Sequence, residues 1–401
     1  MSNAGLAQAG LERMHQLLSD RIQANDPPGL VALVSRDSDV HVEVLGRKSL
    51  DDAAPMRRDS IFRIASITKP VTAVAAMTLI EECKMRLDDP VDQWLPELAN
   101  RRVLRTIASG LDDTVPAVRA ITVRDVMTSC IGFGSIMAAP NTYPIQKHVR
   151  ELRLGGDGPK LQSQWPASDE YLRNLGSLPL MAQPGERWMY DVSLNVLGIL
   201  VERVCGQRLG EFMRQRIFDP LGMKDTGFRV PADKANRLPG FYFFDRAKNS
   251  LQPFEDTHNS TWLAEPSLES GAGGLASTID DYFAFCSMLL NKGRQNGQQI
   301  ISRASVELMT SDQLKREQRI GAEIFFGSHS SWGLGVAVDT ARREIYHNPG
   351  RFGWTGGFGT TAYIDPKERL IGILFTQRMM DSPVAPRVFT DFWTSAYQAL
   401  N

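Results

Sequence analysis

Four cysteines in 401 residues, Cys83, Cys130, Cys205 and Cys286, stand far apart and form no Cys-x-x-Cys pair. No histidine cluster with zinc spacing accompanies them, so neither a disulfide framework, a metal site nor any cofactor is expected. They read as buried free thiols of a reducing compartment, and the expected location is cytoplasmic. An excess of one charge is missing too. Lysine plus arginine (45) balances aspartate plus glutamate (46), with the signs interspersed, so no nucleic-acid or anionic-membrane partner is expected. No apolar run approaches the ~20 residues of a transmembrane helix. Met1-Ser2-Asn3-Ala4-Gly5 shows no basic stretch followed by an apolar one, so no secretory leader is visible. No serine lies in a Gly-x-Ser-x-Gly frame, which excludes the nucleophile elbow of α/β-hydrolases. Gly271-Ala272-Gly273-Gly274 is not followed by Gly-Lys-Ser/Thr and reads as a turn before a helix, not as a phosphate cradle.

What is present centres on Ile61-Phe62-Arg63-Ile64-Ala65-Ser66-Ile67-Thr68-Lys69-Pro70. Residues 61–65 read as a strand end, and residues 67–80 are apolar on nearly every face, which marks a buried helix. Pro70 is tolerated only in a first helical turn, so the helix begins near Ser66. Lys69 lies three residues on, within reach of the Ser66 hydroxyl. A serine, a lysine and a helix N-terminus together suit an activated nucleophile. Ser-x-x-Lys occurs once here, and about one chance match is expected at this composition, so its context carries the weight.

In order, residues 6–22 read as an amphipathic helix and residues 29–35 and 40–45 as a hairpin. Residues 91–288 are mainly helical, with a long irregular insertion over residues 154–184 that has the length of a lid or binding loop. Residues 332–338, 340–347, 359–364 and 370–376 read as strands, and residues 384–400 as a closing helix. The pattern predicts residues 1–88 and 295–401 as one α/β domain made from both chain ends, with a mainly helical domain, residues 89–294, inserted between.

The sequence resembles the serine β-lactamase and penicillin-binding-protein superfamily, in its class C-like branch, which includes the family VIII carboxylesterases. The resemblance rests on the order of Ser66-Ile67-Thr68-Lys69, Pro184-Gly185 leading to Trp188-Met189-Tyr190, and Asp219-Pro220-Leu221-Gly222-Met223. It continues through Gly273-Gly274-Leu275-Ala276-Ser277-Thr278 and Trp354-Thr355-Gly356-Gly357 before Ile364-Asp365-Pro366. It implies an α+β, β-lactamase/transpeptidase-like fold with an antiparallel sheet flanked by helices. It also implies a catalytic set of Ser66, Lys69 and Tyr190, with an oxyanion hole from the backbone N–H groups of Ser66 and Gly357. A tyrosine needs a neighbouring cation to serve as a base, and Lys69 would supply it.

Two departures point to the substrate. The family's tyrosine motif usually has Asn two positions on, where this chain has Val192. The third motif is Lys-Thr-Gly in β-lactamases and penicillin-binding proteins, and its lysine attracts a substrate carboxylate. Here Trp354 stands there, offering an apolar face and one neutral donor as a substrate-binding residue. Arg351 is a candidate to restore the missing charge. The expectation is a serine carboxylesterase acting on short-chain neutral esters through an acyl-enzyme on Ser66. The alternatives are a β-lactamase or D-alanyl peptidase, an acyltransferase, a Ser-His-Asp hydrolase using His347, and a non-enzymatic covalent acyl sensor.

Overall fold

The computed structural model describes residues 5–155, 160–255 and 259–400. Met1–Ala4, on which the leader reading rests, and residues 156–159 of the 154–184 insertion lie outside the described residues. The elements that frame the site are α1 (Gln8–Gln23), β1 (Gly29–Arg36), β2 (Asp39–Gly46), α2 (Thr68–Glu81), α3 (Val192–Cys205) and α4 (Ile279–Leu290). Five strands and a helix follow: β3 (Ser330–Trp332), β4 (Ala337–Asp339), β5 (Phe352–Gly356), β6 (Thr360–Asp365), β7 (Leu370–Thr376) and α5 (Arg387–Gln398).

The seven strands form one antiparallel sheet in the order β3-β4-β5-β6-β7-β1-β2. The two chain ends meet inside it, with Leu30 opposite Thr376 and Arg36 opposite Leu370. Successive strand side chains face opposite ways, and here both faces are covered. Leu30, Ala32 and Val34 pack with Met14 and Leu18 of α1 and Phe392 and Trp393 of α5. Val31 and Leu33 point the other way, into the large core that holds α2. That double cover is why β1 reads as a continuous apolar run.

Twelve of the fourteen residues of α2 are buried, and the helix packs against α3. Burying each large apolar side chain is worth roughly 1.5–3 kcal/mol, so Val71, Val74, Met77 and Leu79 commit the helix to the interior. Its end is closed by Cys83, which takes φ +56° while Cys83 N donates to Ile80 O and Lys84 N to Leu79 O. Such a left-handed stop usually uses glycine. Cys83 is therefore exposed, contrary to the expectation of buried thiols; Cys130 and Cys286 are buried, Cys205 is partly so, and all four are free.

Other sequence expectations change, among them the strand expected over residues 332–338, which is split between the end of β3 at Trp332 and β4 from Ala337. Residues 340–347 form no strand: Thr340 through Ile345 are exposed, so no alternating face gains by pairing. The strand lies later, in β5, hidden by two glycines in five residues. A Cβ on Gly353 would stand 2.1 Å from the Ala362 carbonyl oxygen of the paired strand. The 154–184 insertion is partly ordered as the helix Ser168–Ser177, and the segment between the sheet halves also carries the hairpins Arg102–Leu104/Thr114–Pro116 and Phe241–Asp245/Ser250–Glu255. Among the described residues no helix is long and apolar enough to cross a membrane.

Candidate active site

Phe62–Arg63 pairs with Ala276–Ser277, and the chain then turns through Ala65–Ile67 directly into α2. Ser66 thus stands at the N-terminal end of a buried helix, with Pro70 in its first turn. Ala65, just before it, adopts φ +47°, a region uncommon for residues other than glycine. Neighbours hold that turn in place. Tyr282 of α4 donates to Ile67 O at 2.7 Å, Thr360 Oγ1 of β6 donates to Ile64 O at 2.8 Å, and Leu275 N donates to Thr68 Oγ1 at 3.2 Å.

Ser66 Oγ accepts from Tyr190 OH at 2.7 Å and from Lys69 Nζ at 3.0 Å. Lys69 is fully buried, yet its ammonium also donates to Ala272 O at 2.7 Å, to Asp191 Oδ1 at 2.8 Å and, more loosely, to Tyr190 OH at 3.4 Å. Burial works against its charge, but Asp191 and Tyr190 more than offset that and hold its pKa above the ordinary lysine value. Ser66, Lys69 and Tyr190, predicted from separate motifs, therefore meet.

Trp354 and Gly357 come from β5 and the turn after it. Gly356 lies against the nucleophile turn, where a Cβ would sit 2.5 Å from Ile64 O; no other residue allows that approach. The half-exposed Gly357 follows directly. Trp354 is buried, and its Nε1–H donates to Tyr190 OH at 3.3 Å. Its ring stands edge-on to Trp332 and stacks with Phe325, which also lies 4.8 Å from the Tyr190 ring centroid. An aromatic wall thus backs the serine where a cation was absent from the sequence.

Arg351 does not restore that cation. It is buried beneath the sheet, 3.0 Å from Asp339 Oδ2 and 3.9 and 4.3 Å from the Tyr363 and Trp393 ring centroids. His347 is likewise elsewhere, stacked on His329 with centroids 4.2 Å apart. His329, Asp339 and His347 bring possible ligand atoms within 4.8 Å of one another, but Asp339 already accepts from Ser330 Oγ and from Arg351.

Asp191 and Asn195 were missed in the sequence. Asn195 Oδ1 accepts from Ser270 Oγ at 2.7 Å and Ala272 N at 3.2 Å, which orients the loop whose carbonyl receives Lys69. A signal existed: Asn195 is an amide within a run of α3 that is buried from Val192 through Val201.

Comparison with known proteins decides the lineage. The Beta-lactamase family model matches residues 14–389. The chain belongs to the beta-lactamase family. It is 36% identical over 364 residues to Protein Rv1367c of Mycobacterium tuberculosis, covering 89% of this chain and 87% of that one. It is 29% identical over 384 residues to Esterase EstB of Burkholderia gladioli, covering 89% and 88%. Among solved structures it is similar to EstCE1, a hydrolase with promiscuous acyltransferase activity, with a TM-score of 0.80 and 23% identity over 97% and 99% of the chains. The fold is that of the β-lactamases and transpeptidases, α+β with an antiparallel sheet, and the chain is a serine hydrolase of that family.

Proposed function

We propose that the protein is a carboxylesterase that hydrolyses small neutral esters through an acyl-enzyme on Ser66. The observation that carries this is the single oxygen, Ser66 Oγ, hydrogen-bonded by both Lys69 and Tyr190 at the head of a buried helix. In the reactive form Tyr190 is the phenolate, favoured by the neighbouring Lys69 ammonium, and it takes the Ser66 proton as Oγ attacks the ester carbonyl. The developing oxyanion is taken by the N–H groups of Ser66 and Gly357, where losing one donor typically costs about 10²–10³ in rate. Tyr190 returns the proton to the leaving alcohol, and water then releases the acid from Ser66.

Neutral substrates are favoured because the third motif, Trp354-Thr355-Gly356, carries no cationic side chain to attract a carboxylate. The Trp354 N–H is engaged by Tyr190, and Arg351 is ion-paired out of reach. The name of the Burkholderia relative, an esterase, supports the same reading. The test is a parallel assay of a short-chain p-nitrophenyl ester and a chromogenic cephalosporin. Expected are a burst of p-nitrophenol, far weaker cephalosporin turnover, and loss of both with Ser66→Ala. Equal turnover of the two substrates would defeat the neutral-ester assignment. Acyl transfer would show as a product formed only when an acceptor alcohol is added, and a stable, unreleased acyl group would mark a sensor.

A further inference from the structure

We propose that Asp191 is the positioning residue for Lys69, supplying as an anion the hold on the lysine that Val192 cannot provide. This rests on Ser66 being the nucleophile and names how its proton network is kept in one charge state.

The geometry is unusual. Asp191 has φ +80° and ψ −60°, and Val192 N donates back to Tyr190 O at 3.2 Å. That is a γ-turn of the positive-φ form, which is rare and strained. Strained backbone persists only where the surroundings enforce it. Its effect is specific. Along an extended chain, neighbouring side chains point opposite ways, yet this turn delivers Tyr190 and Asp191 to the same amino group.

The chemistry fits the geometry. A buried ammonium without a counter-charge tends to give up its proton. Lys69 has no solvent exposure, while the Asp191 side chain is one-quarter exposed, so the anion stays hydrated and the cation does not. The groups facing Lys69 are Ser66 from its own helix start, the Ala272 carbonyl from the glycine turn, and Tyr190 and Asp191 from the γ-turn. The Asp191 charge also reaches Tyr171, on the helix Ser168–Ser177. With Lys69 held charged, it cannot take the serine proton. That proton moves from Ser66 Oγ to the phenolate oxygen of Tyr190 as the Oγ–acyl bond forms, and from the resulting Tyr190 hydroxyl to the alkoxide as the ester C–O bond breaks.

The experiment compares kcat–pH profiles of the wild type, Asp191→Asn and Asp191→Gly on a p-nitrophenyl ester, with Ser66→Ala as control. Glycine takes φ +80° without strain, so that variant removes the carboxylate and not the turn. Asparagine keeps the shape and removes the charge. Expected in both is a kcat loss on the order of 10²-fold, the scale of lost acid–base assistance, with KM little changed. The alkaline limb, where Lys69 loses its proton, moves to lower pH in both. Ser66-dependent turnover with that limb unmoved in Asp191→Asn would overturn the role of Asp191 alone. Turnover that survives Ser66→Ala would instead overturn the acyl-enzyme.

Discussion

The Trp354 indole touches the reaction at one atom, the N–H that donates to Tyr190 OH at 3.3 Å. Trp354→Phe keeps a ring against Phe325 and Trp332 and removes that donor. One neutral hydrogen bond is worth about 0.5–1.5 kcal/mol, so ester kcat should fall by up to about tenfold with little loss of stability. An unchanged kcat would show that the donor plays no part. At this scale the sequence was uneven. Ser66 and Lys69 were legible because a helix places residues three apart on one side. Tyr190 needed the family motif. Asp191 was hidden because a γ-turn has no periodicity, and a charged residue beside a motif ordinarily faces water. Arg351 misled for the opposite reason: an odd spacing from Trp354 along extended chain already puts the two on different faces.

Among the elements, α2 and the approach of β5 to the nucleophile turn do different jobs. Leu79→Ala in α2 opens a cavity in the main core and should cost about 2–5 kcal/mol, read as a lower urea midpoint with an unchanged m-value. Gly356→Ala works at the site. Its Cβ would press on Ile64 O and on the Ala65 Cβ, 3.2 Å away, moving β5 off the serine. A misplacement of about 1 Å can cost 10²-fold in rate, so ester turnover should fall by that order while overpacking costs about 1–3 kcal/mol. A variant with wild-type kcat would show that β5 does not set the site's spacing. The buried helix, the first hairpin and β7 could be read directly because apolar runs and the polar link Arg36-Asp37-Ser38-Asp39 mark them. β5 could not, since the glycines that let it lie close to Ala362 and Ile64 are the residues that weaken a strand's signature.

Across the whole molecule, the sheet's far face shows how stability answers to pH. Arg351, buried against Tyr363 and Trp393, joins β4 to α5 through Asp339, and the stacked His329 and His347 lie against that pair. Burial, then Arg351, His329 and Arg343, push the His347 pKa down to about 3. An unfolded histidine titrates near 6.5. Between those values the unfolded chain binds a proton that the folded one refuses, so folding is fully favoured above about pH 6.5 and weakens on acidification toward pH 3. The slope is up to about 1.4 kcal/mol per pH unit, less where solvent screens the ring. Burial raises the carboxyls of Glu202, Glu269 and Asp281, which changes stability in the opposite sense, so wild type alone does not isolate the histidine. His347→Gln does, because glutamine does not titrate and can still accept from Glu344 N, as His347 Nδ1 does at 3.2 Å. Urea unfolding at pH 7, 6 and 5 should show the stability gap between wild type and His347→Gln shifting toward the variant at each step down. A gap independent of pH would mean that His347 is as free to take a proton in the folded protein as in the unfolded chain.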